Sequence, residues 1–265
     1  MEIFLGYLSA VLIGLSLGLT GGGGSILTVP LLVYVIGINP ILATAYSLFV
    51  VGVSAGVGAI NAIKKGMLEF KSAFTFAIPS MISVFITRKF IVPAIPSQIL
   101  EINGFELTKE VAVMILFAVL MILAAFSMIR AGGDGYQQKA THTHPYMLVV
   151  VGLVVGLIAG IVGAGGGFLI IPALVLLAGI PMKSAVGTSL LIISSQSLIG
   201  FLGDVTERVI DWVFLLEFSL IAVAGIFIGM AIAKKISNKH LKAIFGWFVL
   251  CMGVYIILAE VFFEI

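Results

Sequence analysis

Charge is what this chain has least of. Lysine, arginine, aspartate and glutamate make up 10% of its 265 residues, against 61% hydrophobic. A water-soluble domain carries roughly 25% charged residues. With a mean hydropathy of +1.28, the shortage excludes a soluble fold and indicates an integral membrane protein. The formal net charge of +2 is too small to suggest a nucleic-acid partner. Cysteine is almost absent, and a lone Cys251 excludes an internal disulfide or a two-thiol relay. It is read as a small apolar residue inside the last span. There is neither a Cys/His cluster nor a facing pair of acids, so no enzyme, metal centre or cofactor is expected. Met1-Glu2-Ile3-Phe4 offers no basic start to a leader, so no cleaved signal peptide is expected.

What is abundant is glycine, and it is placed unevenly. Gly21-Gly22-Gly23-Gly24-Ser25 interrupts one apolar run and is followed by Pro30; Gly163-Ala164-Gly165-Gly166-Gly167 interrupts another and is followed by Pro172. A shift of 142 residues superimposes the two stretches without a gap from Gly14 to Phe76. The identities include Gly21/Gly163, Gly24/Gly166, Pro30/Pro172, Gly37/Gly179, Ser47/Ser189 and Phe76/Phe218. A gapless match that keeps glycines and a proline reads as an internal duplication.

Segment lengths give each half a shape. A bilayer core of ~30 Å needs about 20 helical residues. The runs 41–63, 70–87, 110–130, 183–203, 211–233 and 241–263 reach or approach that length. The runs 26–36 and 168–178 cover only ~16 Å at 1.5 Å per residue. Each is therefore read as the returning arm of a re-entrant hairpin, 3–36 and 146–178, with the glycines at its tip. The expected fold is all-α and polytopic. It comprises a first repeat (1–130), a linker (131–145, with His142 and His144) and a second repeat (146–265). Each repeat is a hairpin plus three transmembrane helices.

An odd number of spans per half inverts one repeat relative to the other. Ten basic residues, from Lys64 and Lys65 to Lys239 and Lys242, then fall on one side, and Arg88, Lys89, Lys109 and Arg208 on the other. The positive-inside rule makes the first side cytoplasmic. A multi-pass protein of the inner (plasma) membrane with both termini outside is expected. Residues 88–109 form an outer loop, Asp204 stands in water, and an acidic tail begins at Glu260.

The glycine stretches suit an anion. Glycine permits φ > 0 and close backbone approach, and successive N–H groups in such turns form anion-binding nests. Each stretch also opens a helix, whose first amides lack partners and carry the positive dipole end. Pro30 and Pro172 are expected near the first helical turn, where a missing N–H costs little. No lysine or arginine is expected within the hydrocarbon, so the cradle is backbone: Gly21, Gly22, Gly23, Gly24, Ser25, Gly163, Gly165, Gly166 and Gly167. Gly14, Gly18, Gly156 and Gly160 are read as helix-packing glycines.

Polar side chains on the next segment could complete such a site. Ser47, Thr188, Ser189 and Gln196 are the candidates, and interhelical hydrogen bonding is the competing reading. Glu69 and Asp211 begin matching helices and are read as caps. Glu217 is the candidate proton carrier of an alternative, a proton-coupled transporter of a small carboxylate.

The stretch Gly163-Ala164-Gly165-Gly166-Gly167-Phe168 to Pro172, followed by Ile180-Pro181 and Ala185-Val186-Gly187-Thr188-Ser189-Leu190, resembles the sulfite exporter TauE/SafE family, also called the toluene sulfonate uptake permeases. The resemblance spans nearly the whole chain. It implies a secondary transporter that moves a small sulfur-containing anion, sulfite or an organosulfonate, by alternating access. A coupled proton or sodium ion and the oligomeric state are left open by it. Tyr46 stands where the second copy has Thr188, so the two half-sites differ chemically.

Overall fold

The computed structural model describes residues 2–102, 105–130, 145–233 and 238–262. Ten helices make up nearly all of it. They are α1 (Glu2–Thr20), α2 (Gly24–Val35), α3 (Pro40–Lys64), α4 (Phe70–Ala94), α5 (Lys109–Arg130), α6 (Pro145–Val162), α7 (Gly167–Leu177), α8 (Met182–Val205), α9 (Trp212–Ala233) and α10 (Asn238–Phe262). Five are long and apolar enough to cross a membrane: α3, α4, α5, α8 and α9. The expected linker, His142 and His144 included, lies outside the described residues apart from Pro145, which opens α6.

Local signals explain where the helices begin and end. Asn39 caps α3 by accepting from the Ile41 amide at 3.0 Å, with Pro40 in the first helical position. Helices α2 and α7 both stop at a left-handed glycine, Gly37 (φ 77°) and Gly179 (φ 64°). Just beyond, Ile38 N–H bonds Leu32 O at 3.0 Å and Ile180 N–H bonds Leu174 O at 3.3 Å. Asp211 caps α9 by accepting from Phe214 N–H at 3.1 Å, whereas the side chain of Glu69 makes no cap bond.

Two expectations about these elements need correction. The segment after Phe70 does not end at residue 87. It passes through a π turn at Thr87–Ile91 and continues to Ala94, and Gln98–Ile102 and Phe105–Thr108 then pair as a short antiparallel hairpin. Pro93 does not stop the helix, because it falls in the first turn after the π segment, where its φ is helical. Pro172 is not in the first turn of α7; it is the sixth residue, since the helix already starts at Gly167. Likewise α2 is led in by 3-10 turns at Gly23–Leu27 and changes to π turns immediately after Pro30.

Packing fixes the helix directions. Helix α1 lies along α9, with Gly14 against Ala222 and Gly18 against Ile226, so the two run parallel. Helix α6 lies along α4 in the same sense, Gly152 on Phe76 and Gly156 on Ser80. Helices α3 and α8 run antiparallel, Gly52 meeting Leu198 and Gly56 meeting Ser194. Helix α2 turns back along α1, because Gly24 touches Ser16 and Leu17 while Gly6 faces Ile36. Cross-ties join the two parts of the chain: Tyr46 Oη accepts from Asp211 N–H at 2.8 Å, and Thr188 Oγ1 accepts from Glu69 N–H at 3.1 Å.

Apolar residues lie outside as well as in. On α4 the exposed side chains Phe70, Phe74, Ile78, Ile82, Ile86 and Phe90 follow a strict four-residue spacing. That stripe would be unstable in water and suits a hydrocarbon solvent. Cys251 also sits on the exposed face of its helix, α10. Glu260, expected in an acidic tail, is instead 3% exposed and accepts from Tyr34 Oη at 2.6 Å. The last turn of α10 packs against α2 and draws it inside.

Candidate functional site

The two glycine stretches meet. Gly22 and Gly167 are in backbone contact, and both lie against the Ile193 side chain, halfway along α8. Gly165 packs between Ile193 of α8 and Val51 of α3. The tips of both hairpins therefore come together between the middles of the two antiparallel helices.

The backbone there takes shapes that only glycine adopts easily. Gly165 (φ 65°) and Gly166 (φ 64°) are consecutive left-handed residues, and Gly21 (φ 80°) and Gly163 (φ 76°) are left-handed at matching places. The Gly21 and Gly163 amides close the last turns of α1 and α6, on Leu17 O and Ala159 O. Among the described residues, no protein acceptor takes the amide protons of Ala164, Gly165 or Gly166. All three residues are buried, so those donors are shielded from water. Ser25 bonds back into its own loop, Oγ donating to Gly22 O at 2.9 Å.

Helical spacing aims polar side chains at these loops. Ser47, Val51 and Ser54 lie on one face of α3, and Val51 on that face touches Gly165. Ser189, Ile193, Gln196 and Ser197 form the corresponding face of α8 around Ile193. The hydroxyls of Ser47, Ser54 and Ser197 are fully buried and have no partner among the described residues. Gln196 holds the second loop in place: its Nε2 donates to Gly165 O, and its Oε1 accepts from Ser80 Oγ on α4. Ser189 donates to Val186 O at 2.8 Å within its own helix. Thr188 faces away, its hydroxyl taken by the Glu69 amide.

Not every residue singled out from the sequence joins this cluster. Glu217 is exposed on α9 and accepts from Tyr7 Oη at 2.7 Å. The polar site also contains a cation that the sequence reading placed in an outer loop. Arg88 lies in the π turn of α4 and is 0% exposed; Asp204, expected in water, is 1% exposed. Arg88 Nη1 stands 3.4 Å from Asp204 Oδ2 and donates to Thr44 Oγ1 at 2.9 Å. Arg208 Nε lies 3.0 Å from Asp204 Oδ1. Thr44 packs against Gly163, which joins this ionic cluster to the second glycine stretch. A charged residue inside a long apolar segment was the available signal, and π turns recur at functional sites.

The family model for "Sulfite exporter TauE/SafE" matches residues 7–256, both glycine stretches and helices α3, α4, α8 and α9 included. The chain belongs to that family. A "probable membrane transporter protein" of Xylella fastidiosa (strain Temecula1) is 33% identical to this TauE/SafE member over 257 residues, covering 94% of this chain and 92% of the relative. The "probable membrane transporter protein YunE" of Bacillus subtilis (strain 168) is 26% identical over 282 residues, covering 97% and 100%. No solved structure matches at a significant level. This TauE/SafE protein is accordingly a multi-pass membrane protein of a transporter family and not an enzyme.

Proposed function

We propose that the chain is a secondary transporter that carries a small sulfur-containing oxyanion, sulfite or an organosulfonate, across the inner membrane by alternating access. The observation that carries this reading is the meeting of the two glycine tips, where among the described residues three buried amides find no acceptor and the buried Ser197 hydroxyl beside Gly165 finds no partner, with the unpartnered hydroxyls of Ser47 and Ser54 on the α3 face that touches Gly165. Buried donors without acceptors are costly, roughly 1–3 kcal/mol each. An anion with several oxygens satisfies many of them at once, and helix N-termini favour its charge.

Two inverted repeats are the second part of the proposal. Its support is that three helices run opposite to the ones 142 positions on: α1 against α6, α3 against α8, α4 against α9. Discontinuous helices meeting near the membrane midplane at a repeat interface are where transporters of this design bind their cargo. The flanking hydrogen bonds, Asp211 to Tyr46 and Glu69 to Thr188, are related by the same 142-residue shift.

Flux in proteoliposomes tests the reading. Purified protein should give saturable, voltage-sensitive movement of sulfite or of a small sulfonate such as methanesulfonate. Sealed vesicles with no flux of any such anion would overturn it. Acetate in the same assay distinguishes the carboxylate alternative, which predicts proton-linked acetate uptake in place of sulfite.

A further inference from the structure

We infer that the Arg88 guanidinium is a second oxyanion-binding station beside the glycine cradle, binding two oxygens of a pyramidal or tetrahedral anion through one edge. A fully buried charge is costly unless its hydrogen bonds are satisfied. Arg88 is 0% exposed, yet among the described residues its Nε and Nη2 have no partner and only Nη1 is engaged, by Thr44 and Asp204. Nε and Nη2 lie along the same edge of the planar guanidinium. Their N–H bonds form the parallel fork that matches two oxygens of a carboxylate, sulfonate or sulfite.

The local charge balance points the same way. Asp204 is shared between Arg88 and Arg208, so two cations face one carboxylate and the cluster keeps one positive charge in excess. Asp204 Oδ1 goes to Arg208, and Oδ2 approaches Arg88 only at 3.4 Å, without a hydrogen bond. A monoanion on the open edge would neutralise the cluster and fill both free donors, leaving the contacts of Nη1 intact.

The surroundings hold the edge in place. Thr87 is pressed by Gly160 at the end of α6, and Arg88 Cβ by Gly203 of α8. Thr44 Oγ1 is itself fixed, donating to Ile41 O at 2.7 Å. Thr44 also touches Gly163, so an anion leaving the glycine loops reaches this station across a single residue. At the opposite end of the molecule, the positions 142 removed from Thr44, Arg88 and Asp204 are Val186, Met230 and Ala62. No second buried arginine stands there, so the station serves one mouth of the path and not both.

The ligand class rests on the oxyanion-transport reading, whereas the unpartnered edge of Arg88 does not. Two measurements separate them. The first is the wild-type structure in sodium selenite, a pyramidal oxyanion located by the anomalous signal of selenium. A peak within hydrogen-bonding distance of Arg88 Nε and Nη2 is expected. A peak at the glycine loops alone would overturn the Arg88 station and leave the transport reading standing; no peak anywhere would count against both. The second is calorimetric binding of sulfite to the wild type, R88K and R88Q. Loss of charge-assisted bonds should weaken binding about 10- to 100-fold in R88Q. R88K, which keeps the charge without the fork, should fall between the two. Affinities within about twofold of wild type in both variants would make Arg88 a structural ion pair only. If R88Q does not fold, the selenite peak decides the matter in the wild type.

Discussion

The glycine cradle can be tested with two single-methyl substitutions that share one cost and differ in another. Gly37 and Gly165 are both left-handed, at φ 77° and 65°. Alanine at either place incurs the strain of that conformation, about 1–2 kcal/mol. At Gly37 a Cβ would meet nothing within 4 Å. At Gly165 it would lie 2.9 Å from Ser197 Oγ, 3.0 Å from Val51 Cγ1 and 3.3 Å from Ile193 Cγ2. None of these can retreat freely, because α3 and α8 are packed against each other on the same faces. Overpacking of this kind adds typically 1–3 kcal/mol. Gly165→Ala should therefore lose about 2–5 kcal/mol and Gly37→Ala about 1–2. At roughly 2–4 °C per kcal/mol for a chain of this size, the two are separable by thermal unfolding in detergent. Uptake of sulfite into proteoliposomes supplies the second readout: unchanged for Gly37→Ala, abolished for Gly165→Ala. Equal stability loss and equal uptake in the two variants would refute the argument, because the space around Gly165 would then have no special use.

Three further outcomes follow from the same contacts. Gln196→Leu removes the partner of both Gly165 O and Ser80 Oγ, so it should destabilise by about 1–3 kcal/mol per orphaned group and weaken sulfite binding in calorimetry. Asp204→Asn leaves two arginines with no counter-charge, and a loss of about 3–5 kcal/mol is expected in thermal melts; a melt matching wild type would show that Asp204 is not their counter-ion. Glu217→Gln should leave the pH profile of uptake unmoved, since Glu217 is exposed and bonded only to Tyr7. A shifted profile would restore it as a proton carrier.

Much of this architecture is legible in the order of residues. Glycine runs inside apolar segments can only be loops that protein covers, and the lengths of 26–36 and 168–178 are too short to cross. Those two facts lead to tips that meet in the interior, as Gly22 and Gly167 do. Arg88 was misplaced for a physical reason. Hydropathy treats Arg88-Lys89 with Pro93 and Pro96 as the end of a helix, and nothing local reports that Asp204 waits beside it in space. Ser80 is hidden in the same way, being one hydroxyl in an apolar helix until Gln196 reaches it. Glu260 looks like a tail residue until Tyr34, more than two hundred positions earlier, claims its carboxylate. Periodicity and length act along the chain, whereas each of these pairs is made across it.

Helices α4 and α8 are tied at Ser80–Gln196 and again at Arg88–Asp204. Gly200 rests on Val84 between those ties, and each of the three pairs is separated by the same 116 positions. Two bolts eight residues apart on parallel rods, about 12 Å at the helical rise, remove both sliding and swivelling. The pair behaves as a girder. Under the proposed alternating-access transport, a motion that opened a path to one side of the membrane would carry α4 and α8 together and bend elsewhere in the chain.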